Sequence, residues 1–352
     1  MFEGKKLVIV LGSMGRGGAE RVVSIISDYF ANKNWNVWIV MLLANKVDYV
    51  LNDNVKIVDL SGSTTSRIKR VPSWIFGIRE VVKEINPDTV LSFAARINII
   101  VQMALIGTKQ KIVVSERNDP YSDGRSKIVD FFTSKLYPKA HAVVFQTERA
   151  QGYFKKCNLK NACIITNPVE VKCKADKVEK GKIVTAGRLT AQKNHKMLIT
   201  AFSEVAKEHS CAKLHIFGDG ELKNELVDLT ESFGLSDKVI FEGNVANLHE
   251  QISNAQIFAL SSDYEGLSNA LLEAMMMGLP CVSTDCAGSD EYITDKHNGR
   301  LVKVGNADEM ADVLKEMLSN GEDTLELGKN AEIYSAKFAK ENVLNLWEKV
   351  ID

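Results

Sequence analysis

The chain has 352 residues, 45% hydrophobic and 25% charged, the balance of an ordinary globular protein with room for two domains. Its net charge of −1 hides an asymmetry that points the first half toward an anionic ligand or surface: residues 1–170 carry 24 Lys and Arg against 15 Asp and Glu, a net of +9, and residues 171–352 carry 20 against 30, a net of −10. No apolar run is long enough to span a bilayer, and the six cysteines form no CxxC pair and lie near no histidine cluster, which argues against a zinc site and fits a reducing cytosol.

Lys5-Lys6 ahead of Leu7-Val8-Ile9-Val10-Leu11 has the form of a signal-peptide start. The run is too short, however, and breaks into Gly12-Ser13-Met14-Gly15-Arg16 without a cleavage pattern, so it reads as a buried parallel strand over 6–11. Further strand-length apolar runs follow at 37–43, 55–59, 88–92, 111–115 and 142–145, with helical patterns near 19–32, 74–85, 97–106, 125–137 and 148–156. Asn167-Pro168 and the charged stretch from Val169 to Gly181 mark an exposed linker. The alternation then resumes, with strands near 182–186, 213–217, 238–242, 256–260, 280–283 and 300–304. Residues 334–352 read as a closing helix with Phe338, Leu344, Leu346, Trp347 and Val350 as apolar anchors. Strand–helix alternation with continuous apolar strands predicts an α/β protein of two doubly wound domains, 1–168 and 169–335.

The glycine turns carry the chemistry. The first loop, Gly12 to Arg21, follows a strand and opens a helix, but its glycines do not stand as GxGxxG and Met41-Leu42-Leu43-Ala44-Asn45 offers no acid to a ribose. A nicotinamide enzyme is therefore disfavoured; the loop either admits a ligand close to its backbone or simply closes the strand. Gly187-Arg188-Leu189-Thr190-Ala191-Gln192-Lys193 places a guanidinium fork and an ammonium at a strand end, where α/β folds bind ligands and where a diphosphate is the natural guest. Phe217-Gly218-Asp219-Gly220 is a further strand-to-helix turn that a plain structural role explains well, although a nucleotide can still pass over Gly218. In Glu265-Gly266-Leu267-Ser268-Asn269-Ala270-Leu271-Leu272-Glu273, one carboxylate lies in a glycine loop before an N-cap at Ser268 or Asn269, and the other lies within the helix. Helix starts favour anions, and carboxylates on either side suit hydroxyls, so a nucleotide sugar satisfies both, while a surface Glu and a solvated helix Glu fit the spacing alone equally well.

Ser115-Glu116-Arg117-Asn118-Asp119-Pro120 ends a strand with dense polar groups suited to an acceptor. Arg67-Ile68-Lys69-Arg70-Val71-Pro72-Ser73-Trp74-Ile75-Phe76 interleaves cations and aromatics: Arg67, Lys69, Arg70, Trp74 and Phe76 are expected to meet an anionic membrane surface, although a plain loop and helix start fits the run equally well. No nucleic-acid module accompanies that run, and the six histidines show neither a triad nor a metal spacing.

Taken in order, Gly17-Gly18-Ala19-Glu20-Arg21, Gly187-Arg188-Leu189 with Lys193, Phe217-Gly218-Asp219-Gly220, and Glu265 with Glu273 resemble glycosyltransferase family 4 along nearly the whole chain. The resemblance implies a GT-B architecture: two Rossmann-like domains facing a cleft, an acceptor-binding one over 1–168 and a donor-binding one over 169–335, with a last helix, about 336–352, returning to the first. It implies a retaining, metal-independent transferase with no cofactor and a UDP-sugar as donor. Arg188 and Lys193 would neutralise the donor diphosphate, Glu273 would hold the ribose, and Glu265 would contact the transferred sugar. Gly17, Gly18, Gly187, Gly218, Asn244, Val245, Gly266, Leu267, Ser268 and Asn269 would line the donor, and Arg96, Glu116, Arg117 and Asn118 the acceptor. Val114 to Pro120 and Val144 to Glu148 resemble bacterial enzymes that extend polyprenyl-diphosphate-linked oligosaccharides at the inner membrane face. Many relatives carry a histidine where this chain has Glu116-Arg117-Asn118, so that histidine's role does not transfer. The competing class is a noncatalytic nucleotide-sugar-binding subunit; intact cations and both glutamates argue against it.

Overall fold

In a computed structural model, residues 4–15, 17–62, 67–171, 173, 177–286 and 288–352 are described, and the side chains of 67–69 lie outside that description. The chain divides into two compact units, one running to Pro168 and including Lys340–Asp352, the other spanning Val169–Ala339.

The first unit is a parallel sheet of seven described strands: β1 Lys6–Leu11, β2 Asn36–Met41, β3 Val55–Asp59, β4 Thr89–Phe93, β5 Lys111–Ser115, β6 Ala142–Phe145 and β7 Ala162–Ile164. Its order is β3-β2-β1-β4-β5-β6-β7, with β1 pairing β2 (Leu7 opposite Val37) on one side and β4 (Leu7 opposite Thr89) on the other. The chain thus reverses its direction of winding at β1/β4, and α/β sheets open a ligand crevice at such a reversal. The short edge strand β7 was not anticipated, because three residues of intermediate burial carry no pattern.

The helices are α1 Gly18–Asn32, α2 Arg67–Ile85, α3 Ala95–Ala104, α4 Lys127–Leu136 and α5 Glu148–Tyr153. Helix α2 starts seven residues before the expected position and runs through Pro72. Its register corrects the membrane expectation for Trp74, which is only 6% exposed and packs with Ile78 and Val82 against Val8, Val10 and Val90. Positions 74, 78 and 82 repeat every four residues and so share the sheet-facing side.

The second unit holds β8 Glu179–Ala186, β9 Lys213–Phe217, β10 Val239–Gly243, β11 Ala255–Leu260, β12 Cys281–Thr284 and β13 Arg300–Val302 in the parallel order β10-β9-β8-β11-β12-β13. Here the reversal falls between β8 and β11. Helices α6 His195–Glu208, α7 Lys223–Ser232, α8 Leu248–Ile252, α9 Asn269–Met276, α10 Ser289–Tyr292, α11 Ala307–Ser319 and α12 Gly321–Ser335 cover its faces with two apolar clusters.

The closing segment is two helices: α12 in the second unit and α13 Lys340–Ile351 in the first. Val343, Leu344, Trp347 and Ile351 line one side of α13 and are buried with α1 residues Val22, Ile26 and Phe30. Trp347 packs on Phe93 at 5.9 Å between ring centroids, and Thr89 Oγ1 donates to the Ile351 carbonyl at 2.8 Å. Two expected anchors differ. Leu346 is on the solvent side of α13, and Phe338 precedes the helix and joins the core of the second unit.

Candidate functional site

The site of the second unit grows from three glycine turns at the carboxyl ends of β8, β9 and β10. Gly187 N donates to Phe217 O at 2.9 Å, Gly218 N to Gly243 O at 2.8 Å, and Leu189 N to Asp219 O at 3.0 Å. Gly218 has φ +134, and a Cβ there would stand 2.0 Å from the Gly187 carbonyl oxygen, so the turns stack this tightly only with glycine. Arg188 projects from the first turn, is exposed, and makes no ion pair among the described residues.

Lys193 ends a short 3-10 turn, Ala191–Lys193, and Asn194 then adopts φ +44 and caps α6 by accepting from Met197 N at 3.1 Å. The facing loop after β11 is fastened to this turn. Ser261 Oγ donates to Lys193 O at 2.9 Å, Asp263 N to Gln192 O at 2.9 Å, Gln192 Nε2 to Tyr264 O at 2.9 Å, and Asn194 Nδ2 to Asp263 Oδ1 at 2.7 Å. These bonds bring Lys193 Nζ onto Glu265 Oε1 in a largely buried ion pair, and Ser262 Oγ donates to the same oxygen at 2.8 Å. Glu265 Oε2 makes no hydrogen bond among the described residues. One oxygen is committed to the scaffold and the other is not.

Buried beside Lys193 is His195, whose imidazole is pushed down to about 4 by burial and by the ammonium, so it is neutral at pH 7. Gly266 leads to Ser268, the N-cap of α9, whose Oγ accepts from Leu271 N at 3.4 Å. A Cβ on Gly288 would stand 2.4 Å from the Gly266 carbonyl oxygen, so the loop after β12 presses directly on this one.

Glu273 lies one turn into α9 and is buried, its Oε2 at 3.0 Å from His249 Nε2 of α8. His249 is a partner of Glu273 that the sequence did not reveal: it stands 24 positions away and in no motif. The two glutamates have separate partners, Lys193 and His249. Asn244 is exposed after β10, and Val245 packs against the cluster containing Leu267 and Leu271.

In the first unit, Gly17 is the N-cap residue of α1 in an extended conformation, its carbonyl accepting from Tyr49 Oη at 3.0 Å, and Gly18 opens the helix. Arg96 is exposed on α3, just after Ala94 at φ +75. Asn118 is also exposed, but Glu116 and Arg117 are buried. Glu116 accepts from Tyr137 Oη at 2.7 Å and lies 3.3 Å from Arg125 Nη2; burial pushes its carboxyl above the usual range, and Arg125 and Tyr137 only partly oppose that. Arg117 bonds Asn167 and stacks 5.5 Å over Phe93, and burial pulls it down to about 9. The side chains of Arg67 and Lys69 lie outside the described residues; Arg70 lies over the buried Trp74 ring, and Phe76 is exposed.

Residues 16–172 match the family described as Glycosyltransferase Family 4, and residues 168–334 match Glycosyl transferases group 1. A Campylobacter jejuni protein named N-acetylgalactosamine-N,N'-diacetylbacillosaminyl-diphospho-undecaprenol 4-alpha-N-acetylgalactosaminyltransferase is 30% identical over 336 residues, 90% of this chain and 91% of that protein. A second protein of that organism, named as an alpha-1,4-N-acetyl-D-galactosaminyltransferase of a GalNAc-containing PP-undecaprenol, is 27% identical over 361 residues, 98% of each chain. Among solved structures, Anabaena HepE in complex with UDP superposes with a TM-score of 0.83 at 17% identity, covering 98% of each chain; the fold is GT-B.

Proposed function

The chain belongs to glycosyltransferase family 4, and from that premise we propose that it is a retaining enzyme moving a hexose or N-acetylhexosamine from a UDP-sugar to a polyprenyl-diphosphate-linked oligosaccharide during cell-surface glycan synthesis. The observation that carries this reading is the Lys193–Glu265 pair at the β8/β11 reversal, with Arg188 open on one side and the start of α9 on the other. Diphosphate recognition needs fixed positive charge, and the sugar needs a held carboxylate; both stand in one place. The names of the Campylobacter relatives support the lipid-linked acceptor, and the HepE complex supports UDP.

In this mechanism Arg188, Lys193 and the α9 N-terminus meet the diphosphate as its bond to the anomeric carbon breaks and negative charge collects on the β-phosphate. The cations take that charge without a metal ion. Glu273, held by His249, grips the ribose, and Glu265 Oε2 holds a hydroxyl of the transferred sugar. The acceptor hydroxyl attacks from the face the diphosphate leaves, its proton passing to the departing phosphate oxygen, which retains the anomeric configuration. No carboxylate pair flanks the anomeric carbon, unlike the usual glycosidase arrangement. The first unit takes the acceptor and, with its net of +9, works at the inner face of the membrane. No helix of the described residues is long and apolar enough to cross a membrane. Nucleic acid has no part in the reading.

Thermal shifts against a panel of UDP-, GDP- and ADP-sugars identify the donor. Arg188→Ala should retain its fold and lose a charge-assisted contact worth roughly 1.5–3 kcal/mol, seen in donor affinity and turnover. Full turnover in that variant, an inverted product anomer by NMR, or loss of activity in EDTA each overturns the corresponding part of the proposal.

A further inference from the structure

We propose that the exposed face of α4 docks on an anionic lipid bilayer, placing the membrane contact here rather than on α2. Ile128 and Phe131 are 68% and 58% exposed. Three residues apart, they are neighbours on one side of the helix and form a continuous apolar ridge. Among the described side chains of α2 the exposed apolar residues, Val71 and Phe76, stand five apart on different sides, and Trp74 is turned into the core.

The rim of the α4 ridge is cationic. Lys127 and Lys135 are exposed at its two ends. The Lys135 ammonium acts on the Cys157 thiol, at the end of the 3-10 turn Lys155–Cys157 on which Lys155 and Lys156 are also exposed. The acid on this helix, Asp130, is engaged by Tyr153 Oη at 2.8 Å. Protein–protein interfaces are depleted of lysine at their centres, whereas lysines interleaved with large apolar side chains suit a headgroup layer: the stems lie along the apolar surface and the ammonium groups reach the phosphates.

The ridge is also held rigidly. Arg125 stands just before the α4 N-cap and Tyr137 just after its last residue, and both contact the buried Glu116 carboxylate. Tyr137 continues through Asn98, which donates to Tyr137 Oη at 3.1 Å and accepts from Ser92 Oγ at 2.8 Å, so the helix is tied at both ends to the sheet. Glu116 and Tyr137 are thereby positioning residues for a surface, in place of the acceptor contact expected for Glu116.

The inference deepens the reading of a lipid-linked acceptor and rests on it, but its test uses no sugar transfer. The full chain is co-sedimented with phosphatidylglycerol/phosphatidylethanolamine vesicles without nucleotide or acceptor. Ile128→Ser with Phe131→Ser should lower partitioning by about tenfold or more. Replacing Lys127 and Lys135 by Gln should lower it by about fivefold for each lysine, with added salt having the same effect. Arg70→Glu should bind like wild type, and unchanged thermal melting verifies the fold of each variant. Wild-type partitioning of the Ile128→Ser/Phe131→Ser chain overturns the proposal, as does equal binding to phosphatidylcholine vesicles. So does a chain whose dimer, but not its vesicle binding, is lost in that variant, because the occupant would then be a second copy. Vesicle binding without any sugar transfer leaves this inference standing and sinks the proposed function; transfer to a soluble acceptor analogue without vesicle binding does the reverse.

Discussion

The Lys193–Glu265 pair can be separated into its structural and chemical parts. The two side chains are 15% and 9% exposed, so Glu265→Gln leaves an ammonium in a mostly desolvated site facing a neutral amide. Removing one partner of a buried pair costs about 3–5 kcal/mol, and the lower end applies because the pair keeps some contact with water. For a unit of this size that lowers Tm by roughly 6–12 °C. Adding Lys193→Met removes the stranded charge, and the double variant should recover to within about 1 kcal/mol of wild type, since an uncharged pair of similar volume is often neutral. Turnover should not recover, because Met offers the diphosphate nothing and Gln holds a hydroxyl poorly. Urea unfolding and a nucleotide-release assay on the four proteins of the cycle measure both parts. A double variant as unstable as Glu265→Gln would show that the stranded charge is not the source of the cost. Restored turnover in it would show that neither residue serves the chemistry.

Trp347→Ala should destabilise the first unit by about 3–5 kcal/mol, while Leu346→Ala on the solvent side of the same helix should stay within about 0.5 kcal/mol of wild type; equal effects in denaturant melts would contradict the register of α13. His195 predicts an acid-sensitive second unit. Its folded value of about 4 lies below the 6.5 of the free side chain, so the unfolded chain binds the extra proton between those values, and the stability present above pH 6.5 is lost as pH falls toward 4. The loss is about 3 kcal/mol, and His195→Gln should flatten that limb in melts taken from pH 4 to 7. His249→Ala should weaken nucleotide-sugar binding by about tenfold or more, through the loss of a hydrogen bond to a charged group worth roughly 1.5–3 kcal/mol; calorimetric titration with an unchanged affinity would remove His249 from the site.

The strands were legible because parallel strands buried on both faces are continuous apolar runs, and nearly all of those runs are strands here. Ser268 as the α9 cap and the glycines at the ends of β8 and β9 were legible for a similar reason: caps and tight turns are decided by a few neighbouring residues. The start of α2 and the edge strand β7 were not, because one contains a proline and the other only three residues. Trp74 and Phe76 look alike in a list of aromatics, and only the packing of α2 on the sheet sends one inward and leaves the other out.

What the sequence determined by itself is local: two runs of alternating strands and helices, the glycine turns, two cations and two glutamates at strand ends, and through their order the family. What only the tertiary structure decided is partnership. Lys193 meets Glu265 across 72 positions because β8 and β11 are neighbours in the sheet, and Glu273 meets His249 although β10 and β11, the strands before α8 and α9, have β9 and β8 between them. Glu116 turns inward because Arg125 and Tyr137 reach it from either end of α4, leaving Ile128 and Phe131 to face out. Side-chain pairing at that separation depends on strand order, and strand order is a property of the packed sheet that no local window of residues contains.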